Sequence, residues 1–380
     1  MRVVIYESSS FGGCYAYSRA LLDAYRRHPD VSEALLLLPT GSPGGEGVLP
    51  ILINDRPAVE STVAQRSHFI YRQLVNPLLL WRFLRRLPPA FVLLNDFEQL
   101  SAPAWAPLFR RTLCRHRFGV FLHDPDRDAY PPSPGVSARS MRTMMATMDL
   151  ALTHEHRPEK SYYQPNGRTK YREVPHGLYP LPPPDQELAG WLQEARPHGT
   201  RYVTIPGNIR DEKNYERALR ALAQVPEATL LVAGAPSHSG VTTDRYRALA
   251  TELGVGERTV WIERFLTDAE LAAVVEVSEV IMMNYARSFT SQSGILNVIA
   301  PLKKKLIVSD ADSALARTVH RFELGPLIDP DRTDALVMAL CRTLDDTTPA
   351  GWNAYLNYAS WDRQVQIVLA ALRDEAVVPA

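Results

Sequence analysis

The sequence predicts an α/β protein made of two doubly wound domains that face a central cleft. Its 380 residues suffice for two domains or slightly more, at about 150 residues each. Short apolar runs alternate with helical patterns in both halves, which is typical of parallel strands joined by crossover helices. A proline-rich stretch near residue 180 interrupts this alternation once, and the alternation then restarts.

Composition excludes several classes of protein. Hydrophobic residues make up 46% and charged residues 22%, so disorder is not expected. Lys and Arg (42) balance Asp and Glu (42), which argues against a polyanion binder by bulk charge. The first strand reaches polar residues too early for a signal peptide, and no apolar run reaches about 18 residues. Because the three cysteines lie far apart, we expect neither a zinc finger nor a disulfide scaffold but a cytoplasmic protein.

The elements follow from these patterns in chain order. The first half is expected to hold a glycine turn with a helix to about residue 27, a long helix over 63–86, and strands at 2–6, 34–38, 91–95, 120–123, 150–153 and 171–174. The second half is expected to hold strands at 202–205, 229–233, 259–262, 280–283 and 306–308, with helices between and after them. The predicted organisation is a first domain (1–176), a linker (177–199), a second domain (200–360) and a C-terminal helix (361–380) that crosses back to the first domain.

Ligands of such sheets bind outside the carboxyl ends of the strands, so the loops that follow strands are the candidates for chemistry. The sharpest candidate is GNIRDEKN, from Gly207 to Asn214, between a strand and a helix. Its glycine permits close backbone approach, and Arg210 and Lys213 could hold a phosphate at the helix start. The alternative is a solvated turn whose cations pair with Asp211 and Glu212.

Two further stretches follow strands. Ser288 to Gly294 reads SFTSQSG and precedes an apolar helix, so its main chain could bind an anion, or Ser291 or Ser293 could simply cap the helix. The stretch VPHG, at 174–177, lies where a hinge between the domains is expected.

In this order and spacing, VPHG, GNIRDEKN, SQSG and a strand ending in IVSD resemble a GT-B glycosyltransferase, and more narrowly the retaining enzymes of family 4 (group 1). The resemblance implies two Rossmann-like domains, the first for the acceptor and the second for the nucleotide sugar. It implies transfer, with retention, from a UDP-, GDP- or TDP-sugar to a hydroxyl acceptor such as a glycan, a lipid-linked sugar or a small molecule. It also implies that neither a cofactor nor a metal is needed.

The resemblance assigns roles to matching positions. Arg210 and Lys213 match the basic pair that holds the donor diphosphate and stabilises its leaving charge, and His123 matches a histidine that faces the reacting sugar. The remaining matched or neighbouring positions are assigned to donor binding: Gly12, Gly13, Gly207, Asn208, Ser291, Ser293, Gly294 and Asn297.

One departure from the family concerns activity. Many members carry two glutamates around the helix that Ser293 begins, whereas RSFTSQSGILNVIA contains no acid. Asn297 is the candidate for the second of these positions. The missing acids leave open a non-catalytic partner subunit that has kept the fold.

A second alternative is a metal-dependent GT-A transferase, because Asp124 and Asp126 form an Asp-x-Asp motif after a strand.

A separate feature is the stretch 61–120, which is strongly basic. It contains nine arginines and only two acids, Asp96 and Glu98, for a net charge of +7, and aromatic residues lie between the arginines. This stretch favours either a peripheral membrane surface or a solvated arginine face over buried aromatics.

Overall fold

The computed structural model describes residues 1–55, 62–123, 133–155, 168–237 and 240–373. The chain divides into two compact units, one formed by Met1–His176 with Ser360–Ala380 and the other by Gly177–Ala359. Each unit has its own parallel sheet, so the predicted pair of doubly wound α/β domains is confirmed.

The first unit contains a seven-stranded sheet in the order β3-β2-β1-β4-β5-β6-β7, in which every pairing is parallel. Its strands are β1 (Arg2–Glu7), β2 (Glu33–Pro39), β3 (Val48–Leu52), β4 (Phe91–Asp96), β5 (Arg117–Phe121), β6 (Leu150–Thr153) and β7 (Lys170–Glu173). The helices of this unit are α1 (Gly12–Arg27), α2 (Thr62–Leu84), α3 (Ala102–Thr112), α4 (Pro134–Met145) and α13 (Trp361–Arg373).

The second unit contains a six-stranded parallel sheet in the order β10-β9-β8-β11-β12-β13. Its strands are β8 (Arg201–Pro206), β9 (Ala228–Ala233), β10 (Thr259–Ile262), β11 (Ser278–Met283), β12 (Lys305–Ser309) and β13 (Leu327–Ile328). Its α-helices are α5 (Gln186–Ala195), α6 (Tyr215–Leu222), α7 (Asp244–Glu252), α8 (Asp268–Glu276), α9 (Gly294–Ile299), α10 (Ala314–Phe322), α11 (Thr333–Asp345) and α12 (Trp352–Tyr358). Short 3₁₀ helices lie at Asp211–Lys213, Gly256–Arg258 and Ala300–Leu302.

Both faces of each sheet are buried, which explains the nearly continuous apolar strands. In β1, Val4 belongs to the core beneath α2, α3 and α4, whereas Val3 belongs to the core beneath α1 and α13. The C-terminal helix α13 is held in the first unit by apolar packing and by the bond from the Tyr17 hydroxyl to Gln364 Oε1 (2.8 Å). Within 177–199, α5 packs on the second unit, where Leu192 is buried and its carbonyl accepts from the Tyr202 hydroxyl (2.8 Å).

Two strands did not emerge from the sequence patterns. Strand β3 contains Pro50, and proline is rare in central strands because it has no N–H to donate. Since β3 is an edge strand, its outer side needs no N–H donor. Strand β13 has only two residues, too few to produce a periodic signal. No helix in the described part of the chain is both long and apolar enough to cross a membrane.

Candidate functional site

Each sheet has one point at which its strand order reverses. In the first unit this point lies between β1 and β4, and in the second between β8 and β11. Ligands of open parallel sheets bind in the crevice outside the carboxyl ends of the strands at such a point. The loops after β1, β4, β8 and β11 are therefore where a site is expected in each unit.

In the second unit, close backbone packing shapes the loop after β8. Gly207 has a φ of +82°, which favours glycine, and its N–H donates to the Ala233 carbonyl (2.8 Å). A Cβ atom at Gly234 would lie 2.4 Å from the Gly207 carbonyl oxygen, so the two turns touch through their main chains. A bridge between Ile209 and Pro236 continues this contact. These contacts fix the path of the loop that leads to Lys213.

Lys213 is a buried amine. Its side chain is 6% exposed, and Nζ donates to the Pro206 carbonyl (2.5 Å). A Cβ atom at Gly207 would lie 3.5 Å from Nζ, which puts the amine beside the glycine turn. Burial, with a smaller contribution from the charge of Arg210, lowers the pKa of Lys213 to about 7. Among the described residues, no carboxylate forms an ion pair with this amine, so an anion bound here would favour its ammonium form without competition from a protein carboxylate.

The charged residues of this loop do not form the ion pairs expected for a solvated turn. Arg210 is exposed, and the described residues supply no carboxylate within ion-pair distance of it. Asp211 instead accepts from Arg245 (2.5 Å) and from the Tyr246 hydroxyl (3.0 Å). The carbonyl of Glu212 accepts from Ala286 N–H (2.7 Å), which joins this loop to the segment after β11. Arg210 and Lys213 therefore remain available to an anion.

The first turn of α9 lies against the same glycine turn. A Cβ atom at Gly207 would be 3.6 Å from Ile295 Cδ1, so the structure brings Gly207, Lys213 and the start of α9 together. Ser293 occupies the N-cap position before Gly294, yet its Oγ bonds to the Tyr285 hydroxyl (3.0 Å) and makes no capping bond. The Ser291 carbonyl accepts from a main-chain N–H of α10. The Ser293 side chain therefore does not cap α9, which has only six residues.

The two asparagines assigned to donor binding have opposite environments. Asn208 is exposed in the loop after β8. Asn297 is 0% exposed, and its Oδ1 accepts from the Tyr355 hydroxyl of α12 (2.5 Å). Its Nδ2 is buried and has no hydrogen-bond partner among the described residues. The structure thus places Asn297 inside the second unit.

In the first unit, His123 follows β5 and lines a cavity of about 340 Å³. Its ring stacks on Phe121, with the centroids 4.6 Å apart. Burial, then the nearby charges of His154 and His176, hold the pKa of His123 well below its usual range. The neutral imidazole can therefore exchange hydrogen bonds with a ligand but carries no charge for it.

A polar relay orients this imidazole. His123 Nε2 lies 2.6 Å from Asn95 Oδ1, and Asn95 Nδ2 donates to Glu7 Oε2 (2.7 Å). Because the amide NH₂ of Asn95 is directed to a carboxyl group, its oxygen faces His123, and Nε2 carries the ring hydrogen. The glycine pair at the start of α1 lies between Phe11 and Cys14, which line the same cavity as His123. Gly12 has a φ of +79°, and a Cβ atom at Gly12 or Gly13 would meet nothing within 4 Å.

Three acids at this end of the sheet, the buried Glu7 and Glu98 and the half-buried Asp96, were not singled out from the sequence as site residues. Glu7 ends β1 and is paired in register with Asp96, which ends β4. Burial, followed by the charge of Asp96, raises the pKa of Glu7 to about 8. Burial raises the pKa of Glu98 to about 7, although Tyr6 and Asn76 both donate to it. The available signal was an acid immediately after each of two apolar runs predicted to be strands.

The cavity beside these acids has a mixed lining. Its polar walls include Ser8, Asp55, Arg72, Asn95 and Asp96, and its apolar walls include Phe11, Phe69, Phe97, Leu122 and Met141. Arg72 spans it by donating to the Ser8 carbonyl (2.5 Å). A polar ligand with some apolar surface suits this lining.

No family model matches the chain. A D-inositol 3-phosphate glycosyltransferase of Mycobacterium sp. (strain JLS) is 32% identical over 149 residues, which are 39% of this chain and 33% of that protein. The match thus spans only about a third of that relative's length.

Solved structures match over nearly the whole chain. Sucrose-phosphate synthase from Thermosynechococcus elongatus has a TM-score of 0.70 at 15% identity, with 98% of both chains covered. Anabaena Alr3699/HepE in complex with UDP has a TM-score of 0.66 at 13% identity, with 98% of this chain and 100% of that chain covered.

These neighbours share the two-sheet GT-B architecture. The GT-A alternative, which requires a single such domain, is therefore wrong, and its Asp124 and Asp126 lie outside the described residues. The chain therefore has the GT-B fold, and part of its sequence is similar to that of D-inositol 3-phosphate glycosyltransferases.

Proposed function

We propose that this chain transfers a sugar from a nucleotide-diphosphate sugar to a hydroxyl acceptor, with retention of configuration. The observation that carries the proposal is the buried amine of Lys213, which lies beside the Gly207 turn at the reversal point of the second sheet and has no carboxylate partner among the described residues. Arg210 adds a second available cation three residues away. This arrangement suits a diphosphate.

The proposed chemistry is mainly electrostatic. Cleavage of the bond between the anomeric carbon and phosphate places negative charge on the leaving diphosphate, and preorganised cations stabilise that charge. A bound diphosphate would also favour the ammonium form of Lys213 and raise its pKa from about 7. Retention would follow from attack on the same face of the sugar, assisted by the leaving phosphate.

The acceptor is assigned to the cavity of the first unit. His123 is neutral and held by Asn95, so it would hydrogen-bond to a sugar hydroxyl through Nδ1 without adding charge. The glycine turn at Gly12 and Gly13 would leave room for a ligand near the main chain. The donor is also proposed to contact Asn208, Ser291, Ser293 and Gly294. Asn297 is buried, so a contact with the donor would require its side chain to become accessible.

UDP is the first nucleotide to test, because a structural neighbour was solved with UDP, and GDP and TDP are the alternatives. We propose that no metal or cofactor is needed, because Arg210 and Lys213 supply positive charge at the diphosphate. Transfer that persists in EDTA is the expected result, and loss of transfer that Mn²⁺ restores would contradict it. We further propose a cytoplasmic location at the inner face of the membrane, supported by the basic stretch 61–120.

The test is nucleotide binding by the purified chain. Thermal-shift screening and calorimetry with UDP, GDP, TDP and ADP should identify a ligand that stabilises the native state. Lys213→Met should weaken that binding by about 1.5–3 kcal/mol, the range for charge-assisted hydrogen bonds. Arg210→Ala should also weaken it, whereas Lys303→Met, at an exposed lysine of the same unit, should leave it unchanged.

Two outcomes separate the alternatives. Unchanged affinity in both Lys213→Met and Arg210→Ala would remove the proposed diphosphate site. Normal nucleotide binding without hydrolysis or transfer from any nucleotide sugar would instead favour a non-catalytic partner subunit, which the absence of acids in 286–300 first suggested.

A further inference from the structure

Helix α2 presents an apolar face to solvent. Ile70, Leu74 and Leu78 follow one another at four-residue spacing and are 58%, 55% and 50% exposed. Of the twelve large hydrophobic side chains that are exposed in the described part of the chain, six lie on α2: Val63, Phe69, Ile70, Tyr71, Leu74 and Leu78. Isolated exposed apolar residues need no explanation, but a concentration on one helix indicates an interaction surface.

Arginines stand at both ends of this apolar row. Arg66 precedes Ile70 by four residues and Arg82 follows Leu78 by four, whereas Arg86 lies just beyond the end of α2. All three arginines are exposed, and the described residues supply no carboxylate that pairs with them. The row from Arg66 to Arg82 is about 24 Å long, at 1.5 Å per helical residue.

The acids of this region do not reduce its surface charge. Asp96 and Glu98 are the only acids in 61–120, and Glu98 is 3% exposed. Asp96 is half-buried in the wall of the cavity of the first unit, where Oδ2 accepts from the Ser8 hydroxyl (2.8 Å). Three of the nine arginines donate to carbonyls of the first unit, namely Arg72, Arg115 and Arg117. The other six are exposed, and four of them, Arg66, Arg82, Arg85 and Arg86, lie on α2 or directly after it.

An open apolar groove of about 410 Å³ lies at the C-terminal end of α2. Ile51 of edge strand β3 lines it together with Leu79, Phe83 and Leu87, and Arg82 and Arg86 complete its lining. Apolar walls beside two unpaired guanidinium groups suit a molecule that joins a hydrocarbon chain to a phosphate.

We propose that the outer face of α2, from Arg66 to Arg82, together with Arg86 just beyond the helix, docks the first unit on an anionic lipid bilayer. The row Ile70–Leu74–Leu78 would enter the boundary between headgroups and acyl chains, while Arg82 and Arg86 would bind lipid phosphates at the groove. This inference specifies the surface for the proposed membrane location, and it requires nothing of the nucleotide site in the second unit.

Charge favours a bilayer over a second copy of the chain. In a two-fold contact through α2 the same patch would face itself, and its arginines would approach arginines of the other copy. An anionic bilayer satisfies the apolar row and the cations together, as amphipathic helices with basic flanks do at membrane interfaces.

The experiment is vesicle flotation with the full chain, using phosphatidylcholine vesicles with and without phosphatidylglycerol. We expect binding to the anionic vesicles only, and weaker binding as salt is raised. Arg82→Glu with Arg86→Glu should weaken partitioning by tenfold or more, since each arginine near an anionic surface contributes roughly fivefold. Leu74→Glu with Leu78→Glu should abolish it.

Matched controls are available on the second unit. Trp191→Glu and Met338→Glu alter helix residues that are 48% and 50% exposed, and they should leave flotation unchanged. The thermal shift with UDP should be the same in all variants, which separates a failed docking surface from misfolding and from failure of the nucleotide site.

Three results would overturn the docking proposal: flotation with neutral vesicles equal to that with anionic vesicles, flotation unaffected by the α2 variants, or no flotation at all. A dimer detected by light scattering and dissociated by Leu74→Glu with Leu78→Glu, in the absence of vesicle binding, would assign the surface to a second copy instead.

Discussion

Replacement of Lys213 by methionine tests the buried amine directly. The side chain is 6% exposed, and its pKa is lowered from 10.5 to about 7. Between these values the unfolded chain binds more protons than the folded chain, so the wild-type protein should gain stability as the pH rises through this window. Methionine has a similar length and no titrating group, and Lys213→Met should therefore lack this dependence.

The magnitude follows from the shift. Each pKa unit corresponds to about 1.4 kcal/mol. Between about pH 6 and about pH 9, integration of the proton difference yields a relative gain of roughly 3 kcal/mol for the wild type. The lost bond from Nζ to the Pro206 carbonyl shifts the absolute stability of the variant but hardly its pH dependence. The measured quantity is therefore the change in the stability difference with pH.

The assay is urea unfolding of the wild type and Lys213→Met at both pH values. Circular dichroism would follow the transitions, each fitted separately because the chain has two units. Lys303→Met serves as the control, since Lys303 is exposed in the same unit. A stability difference between wild type and Lys213→Met that stays constant with pH would refute the burial argument.

Three further outcomes are expected. First, a bound diphosphate favours the ammonium form of Lys213, so nucleotide binding at about pH 8 should take up close to one proton in the wild type and less in Lys213→Met. Calorimetry in buffers of different ionisation enthalpy measures this proton uptake. Second, the pKa of Glu7 is raised from 4.5 to about 8, so stability of the first unit should fall as pH rises through that window, and Glu7→Gln should flatten the fall; parallel curves would contradict this. Third, Gly234→Ala should destabilise more than Gly254→Ala in thermal unfolding, since both have positive φ but only Gly234 would place Cβ against a main-chain carbonyl; equal losses would deny the close approach.

Local sequence patterns were sufficient for most of the architecture. Alternation of apolar runs with helical stretches predicted both doubly wound domains, because the period of apolar residues reports burial on each element separately. Strand β3 was not predicted, because Pro50 argued against a strand. As an edge strand, β3 tolerates this proline, since its outer side needs no hydrogen-bond donors. The sequence also predicted the loop from Gly207 to Lys213 as a candidate site, because a glycine after a strand and cations at a helix start are local features.

Only the tertiary structure decided which charged groups of the candidate sites are paired, which are buried and which have shifted pKa values. The partner of Asp211 is Arg245, 34 residues away, and this pairing leaves Arg210 and Lys213 available. The meeting of Glu7 with Asp96 likewise depends on β1 pairing with β4, across 89 residues of chain. The sequence by itself determined which elements form and which loops follow them, because those properties are local. Burial, pairing and pKa arise from residues distant in the chain, and so only the folded arrangement could decide them.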